Sequence, residues 1–225
     1  MCGRFTLDTT GAEIAAHFDL ATQPDLQPRY NIAPTQQVPV VRLPSMEGQR
    51  EAPRLRWGLV PFWADDTKIG NKLINARSET AHEKPSFRAA FARRRCLVPA
   101  SGFYEWSKTD DGKQPYYIHA ADDGLLGMAG LWERWTSEQT GEVVESFTIL
   151  TGQPNETVEP LHHRMPVIVQ PADYAFWLDP AMKDTEGLRD LVGQTYPADG
   201  LDAYPVSTHV NSPANDDPAC IQPQE

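Results

Sequence analysis

Apolar positions along the chain fall into two rhythms. In "TTGAEIAAHF" the apolar side chains Ile14 and Phe18 are one helical turn apart, and Thr10 and Glu13 have the spacing of a capping box, which predicts a helix. "SFRAAFARRR" predicts a second helix with Phe87, Ala90 and Phe91 on its apolar stripe, and "PADYAFWL" a late one with proline near its first turn. Between them the rhythm shortens to that of strands. "VPVVRL" and "LRWGLV" are proline-punctuated extended segments. "CLVPA", "GFYEW", "PYYIHA", "LLGMAGLWERW", "SFTILTG" and "MPVIVQ" follow in quick succession, and "DAYPVS" is the last strand. So many short strands, mostly joined by turns, predict an α+β fold of mainly antiparallel sheets with a few flanking helices, not a doubly wound sheet. No internal repeat or low-complexity linker divides the chain. One domain is expected over residues 1–210, with 211–225 a polar, proline-rich and loosely ordered tail.

Composition narrows the class. At 225 residues, 40% hydrophobic and 23% charged, the chain has the make-up of a soluble globular protein. No apolar run approaches the roughly 20 residues of a membrane span, and no basic region with a following apolar stretch opens the chain, so a cytoplasmic location is expected. Cys2, Cys96 and Cys220 are scattered and show no C-x-x-C spacing, so neither a disulfide framework nor a metal site is expected. The net charge of -11 argues against indiscriminate coating of nucleic acid but permits a local basic groove. Arg88 and the "RRR" at 93–95 are the densest positive cluster, a pattern that the end of a helix also favours through its macrodipole.

Four segments carry candidate chemistry. "MCGRFT" puts a cysteine directly behind Met1; if Met1 is removed, one residue bears both an α-amine and a thiol, with pKa values near 8 and about 8.5. An amine attacks an aldehyde to give a Schiff base, and a thiol on the adjacent carbon can close onto it as a thiazolidine. Gly3 suits close backbone approach, and Arg4 suits an anion. "LINARSET" delivers Asn75 and Arg77 to one side of an extended stretch. "ASGFYEW" sets Glu105 among aromatic residues, where desolvation raises a carboxyl pKa toward the range of proton transfer; Trp106 suits a base stack or the core. "PLHHRMPVIV" offers His162 and His163 at a strand entrance. Taken singly, each has a plain structural reading: a frayed terminus, a turn with a surface arginine, an exposed strand face, a loop.

In order, "MCGRFT", "RYNIAPTQ", "RWGLVPFWA", "LINARSET", "CLVPASGFYEW", "ILTGQPN" and "LHHRMPVIV" resemble the SRAP (SOS response-associated peptidase) domain family over nearly the whole chain. The resemblance implies a barrel-like core and reaction with abasic sites in single-stranded DNA during the DNA damage response. It implies that Cys2, first in the chain after loss of Met1, forms a thiazolidine DNA-protein crosslink, with a lyase-type activity. Asn75 would position Cys2, Glu105 would shuttle protons and His162 would assist, His162 being the histidine that stands ahead of an x-Arg-x-Pro run. Arg4, Arg77 and Arg164 would meet phosphates, and Trp63 and Trp106 would stack on bases or wedge into the strand. No cofactor or metal is expected. The expected partner is single-stranded DNA containing abasic sites, met by a monomer that is nucleoid-associated when bound.

Two other classes begin in a similar way. Glutamine amidotransferase domains also open with a cysteine whose thiol attacks an amide, and an N-terminal-cysteine peptidase would use Cys2, Glu105 and His162 on peptides. The "GFYEW" and "LHHRMP" blocks do not suit the amidotransferase.

Overall fold

The long apolar run from Leu126 onward becomes the strand on which the larger sheet is built. In a computed structural model of the protein, residues 2–110 and 112–224 are described. The strands are β1 (Phe5–Leu7), β2 (Arg29–Ile32), β3 (Gln37–Pro39), β4 (Arg54–Trp57), β5 (Asn75–Arg77), β6 (Arg95–Ala100), β7 (Gly102–Thr109), β8 (Gly112–Ala120), β9 (Leu126–Thr136), β10 (Val143–Gly152), β11 (Met165–Pro166), β12 (Ile168–Val169) and β13 (Leu201–Pro205). The helices are α1 (Gly11–Phe18), α2 (Arg88–Arg93), α3 (Tyr174–Leu178) and α4 (Thr185–Gly193), with short 3-10 turns between.

A smaller sheet runs in the order β13-β8-β7-β1-β2 and is antiparallel throughout. The larger, curled sheet runs β12-β9-β10-β4-β3, with β6 added to β9 and with β5 and β11 added to β10. β10 pairs antiparallel with β9 and β11 but parallel with β4 and β5. Its carboxyl-terminal half is covered on both faces, which explains why "SFTILTG" is apolar without a clean alternation. The α+β reading and the mainly antiparallel sheets are thus what the chain forms.

The two sheets meet over aromatic residues. Phe5 of β1 sets its ring edge-on to Trp57 of β4 at 5.1 Å, and Trp57 stacks on Phe147 of β10 at 6.4 Å. The indole N–H of Trp57 donates to the Ile74 carbonyl at 2.9 Å, so this core residue also holds the approach to β5. At the start of β7 a side chain would collide with the Tyr117 ring at 2.6 Å, and Gly102 lets the strands close up there.

α1 carries the expected capping box: Thr10 Oγ1 accepts from the Glu13 N–H at 3.2 Å, and Glu13 Oε2 accepts from the Thr10 N–H at 2.8 Å. The triple arginine does not form one patch. Arg93 stays exposed in the last turn of α2, Arg94 pairs with Glu133 at 2.7 Å, and Arg95 is buried in β6, donating to the carbonyls of Phe91, Ala92, Trp177 and Asp179. α4 was not visible in the sequence pattern; Leu188 and Val192 are its buried face.

Composition suggested a loose tail from residue 211, and Glu225 lies outside the described residues. Residues 211–224 fold back on β2. The Asp216 carboxylate accepts from the backbone N–H groups of Tyr30 and Asn31 at 2.6 and 2.9 Å and pairs with Arg29. Cys220 and Val210 are buried in a second small core with Tyr104, Tyr117 and Val206. Buried backbone groups need partners, and a segment rich in proline and short polar side chains supplies them as readily as it supplies disorder.

Trp57→Ala should lower stability by about 3–5 kcal/mol in urea denaturation, whereas Thr10→Ala should cost only about 1 kcal/mol. Equal losses would contradict the placing of the inter-sheet aromatic cluster at the centre of the fold.

Candidate active site at the junction of the two sheets

β1 pairs with β7 in the register Phe5↔Phe103 and Thr6↔Gly102, and the Tyr104 N–H donates to the Arg4 carbonyl at 3.0 Å. Antiparallel pairing continued toward the amino end brings residue 3 level with Glu105. The other sheet reaches the same point: β5 runs parallel to β10 with Asn75 opposite Ile149, and Asn75 Nδ2 donates to the Cys2 carbonyl at 2.7 Å. Asn75 Oδ1 is buried and, among the described residues, has no hydrogen-bond partner. Cys2 has 0% of its surface exposed. Burial, and then the neighbouring Glu105 carboxylate, push its thiol far above the ordinary thiol range, so it is held as the neutral S–H.

Glu105 is 3% exposed, and desolvation raises its pKa above the ordinary carboxylate value. Nδ1 of His162 is 3.9 Å from Glu105 Oε1, too far for a hydrogen bond, and the histidine charge that acts on the Glu105 carboxyl is that of His163. His162 stands at the end of a turn in which the buried Asn155 accepts from the Val158 N–H at 3.0 Å, and the His162 N–H donates to the Val158 carbonyl at 2.9 Å. Its Nδ1 is 3.0 Å from both the N and the O of Arg164, so that one backbone unit can serve either neutral tautomer. Burial lowers the His162 pKa. His163 stacks on it, ring centroids 4.3 Å apart, and is exposed.

The expected binding residues have unequal surroundings. Arg77 is exposed at the end of β5, two residues from Asn75 and so on the same side of the strand. Arg4 is partly buried: Nη1 donates to Asn31 Oδ1 and to the Val210 carbonyl, both at 2.8 Å, and the guanidinium lies 6.0 Å from the centre of the Trp106 ring. Trp106 is half-buried, its indole N–H donating to Asn211 Oδ1 at 2.7 Å. Arg164 is nearly buried in a two-pronged pair with Glu79, 2.8 Å from Nη2 to Oε2, and it also donates to the Thr151 carbonyl. Trp63 is 48% exposed beside the still more exposed Phe62. Cys2, Asn75, Glu105 and His162 therefore converge, with Arg164 behind His162, while Arg4 and Trp106 share one cluster.

Three contributors escaped the sequence reading: Glu79, which anchors Arg164; Asn155, which caps the histidine turn; and Asn31 with residues 210–215, which hold Arg4. Glu79 lies in "LINARSET", Asn31 in "RYNIAPTQ" and Asn155 in "ILTGQPN", but no spacing along the chain points to their long-range partners. A cleft of about 720 Å³ lined by Asp8, Glu13, His17, Tyr117, His119 and Tyr204 shares none of the site residues.

Residues 1–213 match the profile of the family described as SOS response associated peptidase (SRAP). The chain is 41% identical over 226 residues to the abasic site processing protein YoqW of Bacillus subtilis, covering 99% of each chain. It is 36% identical to the abasic site processing protein HMCES of Gallus gallus, across 88% of this chain and 67% of that one. A crystal structure of a protein from Bacteroides thetaiotaomicron superposes with a TM-score of 0.88 at 29% identity, covering 100% of both chains. The chain belongs to the SRAP family.

Because folding holds His162 neutral, the unfolded chain takes up that proton first as the pH falls through about 6.5. The contribution of His162 to stability is therefore present above that pH and lost below it. An NMR titration of the folded protein should give His162 a midpoint below 6.5; a midpoint above it would contradict the burial of the ring.

Proposed function

We propose that this protein captures abasic sites in single-stranded DNA by forming a thiazolidine crosslink through Cys2 after Met1 has been removed. The observation that carries this reading is the convergence on Cys2: its carbonyl is held by Asn75 at 2.7 Å, and a buried carboxyl with a raised pKa stands beside a histidine whose pKa is lowered. The names of the relatives support the DNA lesion as the target. Met1 itself lies outside the described residues.

In the proposed reaction the freed α-amine of Cys2 attacks C1′ of the ring-opened sugar, forming a C–N bond and a carbinolamine. Protonated Glu105 delivers a proton to the departing hydroxyl, water leaves, and an imine remains. The Cys2 sulfur then adds to the same carbon while its proton passes to the nitrogen, closing the five-membered ring. The balance is aldehyde plus aminothiol giving thiazolidine plus one water, and it consumes no cofactor. Asn75 Oδ1 is the buried acceptor suited to one N–H of the amine. His162 accepts and returns protons as the carboxyl cycles. Loss of Met1 frees the α-amine of Cys2, and it is the only peptide cleavage the reading requires.

Single-stranded DNA fits because the aldehyde must reach a terminus at the junction of two sheets, which stacked bases would oppose. Arg77 is exposed and can meet a phosphate directly, whereas Arg4 and Arg164 do so by exchanging existing partners; Trp63 and Trp106 offer aromatic faces. With a net charge of -11, the non-covalent encounter is weak and salt-sensitive, and the covalent bond supplies the lasting hold.

Incubation with a single-stranded oligonucleotide bearing one abasic site should give a shifted band on a denaturing gel that survives heating and vanishes with Cys2→Ala. A wild-type protein that gives no band yet hydrolyses glutamine or peptides would overturn the proposal. An uncleaved tag fused ahead of Met1 should abolish the band, because the amine is then an amide.

Glu105→Gln should slow crosslinking by about 10²-fold or more. The ratio of wild-type to Glu105→Gln rates cancels the titration of the amine. Where Glu105 acts as the acid, that ratio falls as the pH rises through its folded pKa, with a midpoint above the ordinary carboxylate value of about 4.3. A midpoint at or below that value would contradict the role given to burial.

A further inference from the structure

The segment that holds Arg4 and Trp106 brings together three side chains that the crosslinking reaction does not use. His209 Nε2 is 3.0 Å from Asp217 Oδ2, and a histidine nitrogen, a carboxylate oxygen and the Cys220 sulfur all lie within 4.8 Å of one another. Ligand atoms bound about 2.0–2.3 Å from one zinc ion stand roughly 3.2–3.7 Å apart, so small side-chain movements would bring all three onto one ion. The donor set is also chemically coherent, since imidazole, thiolate and carboxylate together suit a borderline divalent metal such as Zn²⁺ better than Mg²⁺ or Ca²⁺.

The surroundings are those of a built site. Asp217 caps the 3-10 turn Pro218–Ile221, its Oδ1 accepting from the Ala219 N–H at 2.9 Å, which fixes the carboxylate with Oδ2 toward His209. Cys220 is fully buried one turn later, its thiol donating to the Asn215 carbonyl at 3.4 Å. On the far side of the imidazole, Nδ1 is 3.1 Å from the Asn215 side-chain amide, a contact that orients the ring. The sequence carries no C-x-x-C spacing because the ligands come from two successive 3-10 turns and meet only when the carboxyl-terminal segment folds.

We propose that His209, Asp217 and Cys220 form a zinc-class metal site, with a water as fourth ligand, that clamps residues 207–221 behind the arginine and tryptophan of the DNA-binding face. On binding, the Cys220 S–H gives up its proton to solvent as the metal–sulfur bond forms, while the neutral His209 imidazole, its one proton on Nδ1, gives its Nε2 lone pair to the metal, which then stands between Nε2 and Asp217 Oδ2. The Asn215 amide turns so that the proton remaining on the imidazole at Nδ1 has an acceptor. The clamped segment supplies the Val210 carbonyl to Arg4 and Asn211 Oδ1 to Trp106, so the metal stiffens the support of both.

The test uses the full, reduced protein titrated with Co²⁺ and then with Zn²⁺. One equivalent of Co²⁺ should raise a near-ultraviolet thiolate-to-cobalt charge-transfer band, which Zn²⁺ abolishes, and Zn²⁺ should raise Tm. His209→Gln, at a partly exposed position that tolerates the change, should weaken metal affinity at least tenfold while circular dichroism stays native. Cys220→Ala should remove the charge-transfer band, and Cys2→Ala should leave it intact. No band in the wild-type protein, a band that depends on Cys2, or unchanged affinity in folded His209→Gln would show a capped turn with an ordinary ion pair and overturn the proposal.

Discussion

The pairing of β1 with β7 is the constraint on which the site depends. It runs from Phe5 opposite Phe103 to the Tyr104 N–H on the Arg4 carbonyl, and it is locked by the packing of Phe5 against Trp57. An amino terminus is ordinarily the least ordered part of a chain. Here the first strand is buried between β7 and β2 within the smaller sheet, so the residues just ahead of it are delivered to a fixed point beside Glu105. Asn75 closes the arrangement from the other sheet, which makes the position of Cys2 a property of the whole core.

Electrostatics follow from the same burial. Glu105 is desolvated by its place in β7, so its proton is retained beyond the ordinary carboxylate range, while the partly buried His162 gives its proton up more easily. The two groups, 3.9 Å apart, are thus moved in opposite directions by the same cause, which is the pairing the proposed proton transfers need. The turn carrying His162 is itself held by Asn155 and by the Arg164–Glu79 pair, so the placing of His162 rests on residues outside the Cys2 cluster.

Much of this was legible in the sequence because it is local. The capping box of α1, the alternating and continuous apolar runs of β7 to β10 and the extended stretch at Asn75 are all set by neighbours along the chain. The convergence of Asn75, Glu105 and His162 on Cys2 was legible only through resemblance, since no spacing rule connects residues so far apart. What stayed hidden has a common cause. The fate of "RRR" was decided by Glu133 and by the carbonyls around Trp177 and Asp179, and the order of the carboxyl-terminal segment by Tyr30, Asn31 and the Asp216 carboxylate. Composition describes what a segment carries, whereas order depends on the partners that the fold brings to it.

The central claim is that a single residue supplies both nucleophiles, and mass spectrometry of the trypsin-digested adduct tests it most directly. After the DNA has been trimmed, the account predicts a Cys2-Gly3-Arg4 peptide that lacks Met1, carries the sugar remnant with the loss of one water, and resists thiol alkylation because nitrogen and sulfur are bound to the same carbon. An adduct on any other residue, or one at Cys2 that retains Met1 or an alkylatable thiol, would contradict it.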